Sequence, residues 1–241
     1  MLSIFGSTRS VVAHNYALLT PQGFVSSAHA SWSDAQVVVA ISPRMGAQFT
    51  QLLVTLGAHG RGSGTGAQQA FVLVLEGQAD LIVGEELHRL AAGGYAYLPP
   101  DQPFEISGAG AQLLLFQKPF VPLAGQAVPE LLVGSDHDVA GTPFLGDDAA
   151  LLKLLLPDVL AFDMAVNIFT FQPGATLPIV ETHVMEHGLL MLQGQGIYRL
   201  GADWHPVQAG DVIWMAPFCP QWFVATGKTA ARYVYYKDVN R

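Results

Sequence analysis

The chain has 241 residues, of which 51% are hydrophobic and only 12% are Asp, Glu, Lys or Arg, about half the ~25% charged content usual for soluble domains. That composition excludes intrinsic disorder, which needs low hydrophobicity and high charge. A net charge of −8 argues against a surface that tracks nucleic-acid phosphates.

After a leading segment, 1–46, short runs rich in Val, Leu, Ile, Phe and Tyr follow one another. They are QVVVAIS (36–42), QLLVTLG (51–57), AFVLVLEG (70–77), ADLIVG (79–84), YAYLPP (95–100) and AQLLLFQ (111–117). The second half continues with MAVNIFTFQP (164–173), GLLMLQG (188–194), GIYRLG (196–201), DVIWMAP (211–217), QWFVATG (221–227) and ARYVYYKD (231–238). Strands of this length, punctuated by Gly and Pro, predict a β-sandwich or barrel rather than a βαβ fold. The one stretch long enough for a helix is 147–160, and Pro157 interrupts it, so it too can be extended. No apolar stretch reaches ~18 uninterrupted residues, so no membrane span is expected. Cys219 is the single cysteine, which rules out an internal disulfide. The opening residues show no basic region followed by an apolar run, and a cytoplasmic setting is the expectation.

Residues 71–105 align without gaps on 188–222, at an offset of 117. Identical pairs include Leu73/Leu190, Gly77/Gly194, Gln78/Gln195, Gly84/Gly201, His88/His205, Gly93/Gly210, Pro100/Pro217 and Pro103/Pro220. Turn residues kept in register mark an internal repeat. Two domains are therefore expected, 1–120 with the leading segment and 121–241 with the Pro/Gly-rich joining stretch 118–134.

The chemistry concentrates in ETHVMEH, 181–187. On an extended strand alternate side chains share a face, so Glu181, His183 and His187 point together and Glu186 points away. A fourth group, Gln221, is expected from a neighbouring strand. This mixed nitrogen and oxygen set suits Mn²⁺, Fe²⁺ or Ni²⁺ better than thiolate-preferring structural zinc. The same letters contain H-x-x-E-H, an inverted zinc-protease signature. That chemistry needs a helix, and Pro178, Ile179, Val180, Thr182, Val184 and Gly188 deny one. At the repeat offset Glu181, His183, His187 and Gln221 face Gly64, Gly66, Ala70 and Phe104, none of which ligates a metal through its side chain. The ligand set thus belongs to the C-terminal half alone. Tyr233, Tyr235 and Lys237 share a face of the last strand. If it is the interior face, Lys237 can grip a carboxylate; otherwise it guards a sheet edge in water. Tyr198 is a weaker candidate. His88 and His205 occupy equivalent turns and read as packing residues, while His14, His29, His59 and His137 lie in loop-like stretches.

The turn pattern with Gly174, Glu181, His183, His187 and Gly194, then Gly210, Pro217 and Gln221, resembles the two motifs of the cupin barrel. The resemblance implies an all-β fold of two tandem cupin barrels (a bicupin) with few short helices. More specifically, E-T-H-x-x-E-H, a Gln forty residues beyond Glu181 and the terminal Tyr233-x-x-x-Lys237 resemble the (S)-ureidoglycine aminohydrolase family, as do the stretches 15–25, 161–175 and 194–200. The resemblance implies a Mn²⁺-dependent hydrolase that releases ammonia from (S)-ureidoglycine. Metal would be held by Glu181, His183, His187 and Gln221, and substrate contacted by Glu181, Gln221, Tyr233 and Lys237. The implied partner is a small molecule with a carboxylate, with neither nucleic acid nor membrane, and a homo-oligomer is expected. Two other classes stay open on the residues: an Fe²⁺ bicupin dioxygenase of a small aromatic, which would want more motif histidines, and a non-enzymatic ligand-binding or storage bicupin.

Overall fold

Strands in the two halves fall at matching positions in a computed structural model that describes residues 8–64 and 66–239. Gln78–Val83 corresponds to Gln195–Leu200, Glu86–Ala91 to Asp203–Gln208, and Gly94–Leu98 to Val212–Met215. The turns keep their backbone as well: Gly77 and Gly194 have φ of 78° and 74°, and Gly84 and Gly201 both have 62°. An L side chain in that region costs about 1–2 kcal/mol. At Gly194 a Cβ would also meet the backbone of Ala230 and Ala231. Conformation and space both require glycine there.

The strands form two compact units. In the unit built on 25–139, the described strands make a ten-stranded sheet. Its backbone is the long strand Thr50–Gly64, which pairs with Gln112–Lys118 along its first half and with Phe104–Ser107 along its second. One strand thereby belongs to both walls, and Val54, Leu56, Val72, Leu81, Leu90, Phe104, Leu113 and Leu115 pack between them.

In the unit built on 164–239, the walls are separate. An eight-stranded sheet runs through Val212–Met215, His187–Gln193, Ala231–Asp238, Met164–Phe171 and Asp147–Leu154, and a three-stranded sheet holds Asp203–Gln208, Gln195–Leu200 and Gln221–Thr226. Its core is rich in aromatic side chains, with Phe169, Phe171, Tyr198, Phe223 and Tyr233 packed against Leu189, Met191 and Ile213.

Two expectations need correction. The leading segment does not join the N-terminal unit: Tyr16–Leu19 pairs with Val212–Met215 of the C-terminal one. Arg9 fastens it there through a two-pronged ion pair with the buried Asp211, at 2.7 and 2.8 Å. Conversely, Leu132–Ser135, expected in the C-terminal domain, pairs with Gly94–Leu98 of the N-terminal unit. The chain at 158–163 also belongs to that unit, where Asp163 accepts from Lys118, Gln69 and the Val121 N–H. The physical reason is shared: strands Gly94–Leu98 and Val212–Met215 each present an edge, and an unpaired edge recruits whichever extended segment reaches it. The stretch 147–154 is strand, the extended alternative that Pro157 allowed, and the helical residues described are two 3₁₀ turns, Pro21–Gly23 and Pro43–Met45. Among the described residues no helix is long and apolar enough to cross a membrane.

Candidate metal centre

The C-terminal unit lacks the continuous strand that Thr50–Gly64 supplies in the other. After Phe171 the chain turns at Pro173 and Gly174, then runs irregularly beside Gln221–Thr226. Backbone bonds hold it: the Gly174 N–H to Ala225, the Ala225 N–H to Ala175, the Leu177 N–H to Phe223, and a reciprocal pair between Glu181 and Gln221, all at 2.9 Å. The Trp222 indole adds a side-chain bond, to the Leu177 carbonyl at 2.7 Å. Regular strand resumes only at His187. The expected simple alternation through ETHVMEH is therefore replaced by a curled loop. It still gathers the same groups.

Several contacts fix the two imidazoles. The Phe218 N–H donates to the His183 carbonyl at 2.7 Å, and the Glu186 N–H donates to the Asp238 carboxylate at 2.6 Å, just ahead of His187. Nδ1 of His183 lies 3.1 Å from the Met185 carbonyl, and Nδ1 of His187 lies 3.4 Å from that of Tyr236. A carbonyl only accepts, so each Nδ1 carries the proton and each Nε2 is left with a lone pair. Those two Nε2 atoms face one another at 3.1 Å, with the Gln221 amide 3.0 Å from His183 Nε2. Two lone pairs so placed repel unless a proton or a cation lies between them. Burial holds the His187 pKa down at about 3, with the nearby His183 and Lys237 adding to the effect. His187 therefore takes no proton near neutrality.

Glu181 is brought in by its backbone pairing to Gln221. Burial raises its pKa, opposed by the electrostatic influence of the neighbouring His183 and Lys237. Among the described residues no three His, Cys, Asp or Glu side chains already close on one point. The group in place is two imidazole nitrogens and one amide, with a carboxylate alongside. This donor set fits a divalent cation of the borderline type. Rotating the Gln221 amide by 180° would offer it an oxygen.

Glu186 lies apart, buried with its carboxylate on the Trp214 indole at 3.3 Å. The stretch His183–His187 is not helical, so the protease geometry is absent.

The last strand completes the site. Ala231–Asp238 lies between Met164–Phe171 and His187–Gln193, so Lys237 faces His187 on one side and Ala165 on the other. Tyr233 is packed in the core, and its hydroxyl meets that of Tyr198. Burial pushes both phenols up. Tyr233, Tyr235 and Lys237 thus occupy the interior face. Elsewhere in this unit, His205 Nε2 sits 3.2 Å from the Tyr16 hydroxyl, which donates to Asp203 at 2.8 Å.

Sequence reasoning missed three contributors. Phe218 is a non-glycine residue with φ of 62°, strained backbone of the sort that clusters at functional sites. Asp238, whose carboxylate accepts from the Glu186 N–H, gives no signal in the sequence beyond being an acid near the end of the last strand. Asn167 had a legible signal, being the one amide in the apolar run MAVNIFTF.

Comparison with known proteins agrees with this architecture. A family model described as a cupin domain matches residues 167–236. A probable (S)-ureidoglycine aminohydrolase of Oryza sativa subsp. japonica is 41% identical over 98% of this chain and 77% of its own length. An (S)-ureidoglycine aminohydrolase of Arabidopsis thaliana is 40% identical, covering 98% of this chain and 80% of its own. The chain belongs to the (S)-ureidoglycine aminohydrolase family. A crystal structure of the Escherichia coli protein Ylba superposes with a TM-score of 0.87 at 33% identity, over 98% of this chain and 96% of that one. Likeness at that level covers both units of this chain. Membership also implies a metal cofactor and a small-molecule substrate, without saying which metal.

Proposed function

We propose that the chain hydrolyses (S)-ureidoglycine to (S)-ureidoglycolate and ammonia, using Mn²⁺ held by Glu181, His183, His187 and Gln221. The observation that carries this reading is the pair of imidazole Nε2 atoms facing each other at 3.1 Å, each with its Nδ1 set against a carbonyl. Family membership supplies the substrate. When bound, the metal would supply Lewis acidity toward a chelating carboxylate or nitrogen.

The chain's own groups do the rest. Lys237, opposite His187, pairs with the substrate carboxylate and so fixes which face of the α-carbon meets water. The half-buried Glu181 carboxyl, its pKa raised, accepts a proton from the attacking water. The α-carbon gains hydroxyl and loses the amine, which leaves as ammonia after taking a proton. The Tyr233 hydroxyl and the Gln221 amide bind the substrate beside these groups. The surrounding Phe169, Phe171 and Phe223 rings keep bulk water away and strengthen each electrostatic contact.

The substrate is unstable, so the test generates it in place from allantoate with an allantoate amidohydrolase. The expected result is ammonia release beyond the spontaneous rate and a single product enantiomer, (S)-ureidoglycolate. Chelation should abolish both, and Mn²⁺ should restore them. Racemic product at the spontaneous rate would sink the reading.

A further inference from the structure

We propose that Asn167 and Tyr235 form a recognition pair for the ureido group, which makes them specificity-determining residues for small carboxylates bearing a urea or primary amide. This inference rests on the functional reading above and extends it to the other end of the substrate.

Across the pairing of Met164–Phe171 with Ala231–Asp238, Ala165 faces Lys237, Asn167 faces Tyr235 and Phe169 faces Tyr233. Phe169 and Tyr233 lie in the core, so Asn167 and Tyr235 share the interior face one step inward from Lys237. The Tyr235 ring is 5.5 Å from that of His187, edge to face. The pair therefore adjoins both the imidazole cluster and the cation proposed to hold the carboxylate.

Asn167 is 3% exposed. Its Nδ2 donates to the Tyr235 hydroxyl at 3.1 Å, and its Oδ1 is buried with no hydrogen-bond partner. Buried polar atoms are nearly always satisfied, and the exceptions call for a reason. Here the reason is a ligand. In this arrangement the pair keeps a free acceptor, Asn167 Oδ1, beside a free donor, the Tyr235 O–H. With the amide rotated by 180°, the hydroxyl donates to Oδ1, and Nδ2 becomes the free donor while the phenol oxygen becomes the free acceptor. Either way the pair offers one donor beside one acceptor. A urea edge, with its C=O and N–H, is the complement of that pattern. A second carboxylate offers acceptors only and an ammonium donors only, so each would leave half of the pair unmet. Sites built to hydrogen-bond a group reject analogues that lack it.

The test uses the full-length, manganese-loaded protein and two stable probes. N-carbamoylglycine carries the carboxylate and the ureido group without the leaving amine, and propionate carries the carboxylate alone. The wild type should bind N-carbamoylglycine roughly tenfold or more tighter than propionate. Asn167→Leu, which keeps the volume and removes the amide, should erase that margin and leave propionate affinity unchanged. Tyr235→Phe should lose part of the margin. If the wild type shows no margin, or if both variants keep it, the inference is overturned. Should Asn167→Leu fail to fold, Tyr235→Phe decides alone: a reduced margin supports recognition and an intact one overturns it. Ammonia release from ureidoglycine by the same samples separates the two claims. A margin that depends on Asn167 without ammonia release keeps recognition and discards the activity; release without a margin does the reverse.

Discussion

The two units start from one repeat and differ at four positions that decide what each can do. In the N-terminal unit, the strand Thr50–Gly64 runs unbroken past the place where the other unit curls into its loop. Gly64 lies opposite Phe104 in the pairing, and a Cβ there would overlap the Phe104 ring. That ring is 5% exposed and belongs to the core cluster. In the C-terminal unit the corresponding pairing is Glu181 with Gln221, a carboxylate and an amide where the other has a hydrogen and a phenyl ring. One unit fills its interior with hydrocarbon and gains stability. Its counterpart keeps polar groups inside and accepts the desolvation cost, which a cation can offset.

The sharpest way to break this comparison is to remove an imidazole. His187→Ala should abolish stoichiometric manganese and cut kcat/KM by roughly a thousandfold or more, since Lewis-acid catalysis is worth several kcal/mol and each ~1.4 kcal/mol is a factor of ten. Metal analysis of protein purified without chelators, run beside the ammonia assay, checks it. A variant that kept its metal would place the site elsewhere. Installing a histidine at Ala70, the matching position, should recruit nothing, because the other three matching positions are Gly64, Gly66 and Phe104, which offer no second ligand.

A second pair of variants should separate stability from function. Phe104→Ala should destabilise the N-terminal unit by about 3–5 kcal/mol, as emptied aromatic sites in cores do, while leaving the metal in place. Gln221→Ala should do the opposite, with metal affinity and turnover falling and the thermal midpoint changing little. Denaturant unfolding and metal content, measured on both, would contradict the comparison if the two variants behaved alike.

How much of this was legible beforehand depends on the range of the interaction. The offset, the turn glycines and the confinement of ligands to one half are local patterns, and residues such as Gly77 and Gly194 adopt matching conformations for that reason. The exchange of edge strands was not legible. Nothing in Tyr16–Leu19 or Leu132–Ser135 specifies which free edge each will meet, because backbone pairing is nearly indifferent to side chains. The buried pair of Lys118 with Asp163, 2.8 Å apart across 45 residues, is hidden for the same cause. The approach of His183 to His187 was expected from strand alternation, yet the loop achieves it through Phe218 and the Met185 carbonyl. The grouping of the residues was readable and the path of the backbone was not.

Lys237→Met should have a smaller effect, concentrated in substrate binding. Losing one charge-assisted contact to a carboxylate, worth about 1.5–3 kcal/mol, should raise KM by roughly ten- to a hundredfold, with metal content unchanged. Steady-state kinetics at saturating manganese separates this from a folding defect. If KM and kcat both held, Lys237 would be a guard of the sheet edge after all.

The smallest effect expected is on pH, and it again divides the units. Burial, then a hydrogen bond to Asp203, lifts the Tyr16 phenol to about 12. Burial also raises Tyr198, Tyr233 and Tyr235 in the same unit, and Tyr95 in the other. A phenol whose pKa is higher folded than unfolded binds its proton more tightly in the native state. Its contribution is complete below the unfolded value, about 10, and is lost as pH rises through the folded value. The thermal midpoint should therefore fall between pH 10 and 12, with tyrosinate absorbance rising along with unfolding. In Tyr16→Phe the slope of midpoint against pH should be shallower over that window, even though the lost bond to Asp203 lowers the midpoint at neutrality. An unchanged slope would show that the leading strand detaches before Tyr16 ionises, and that the edge strand is the weaker half of the C-terminal unit.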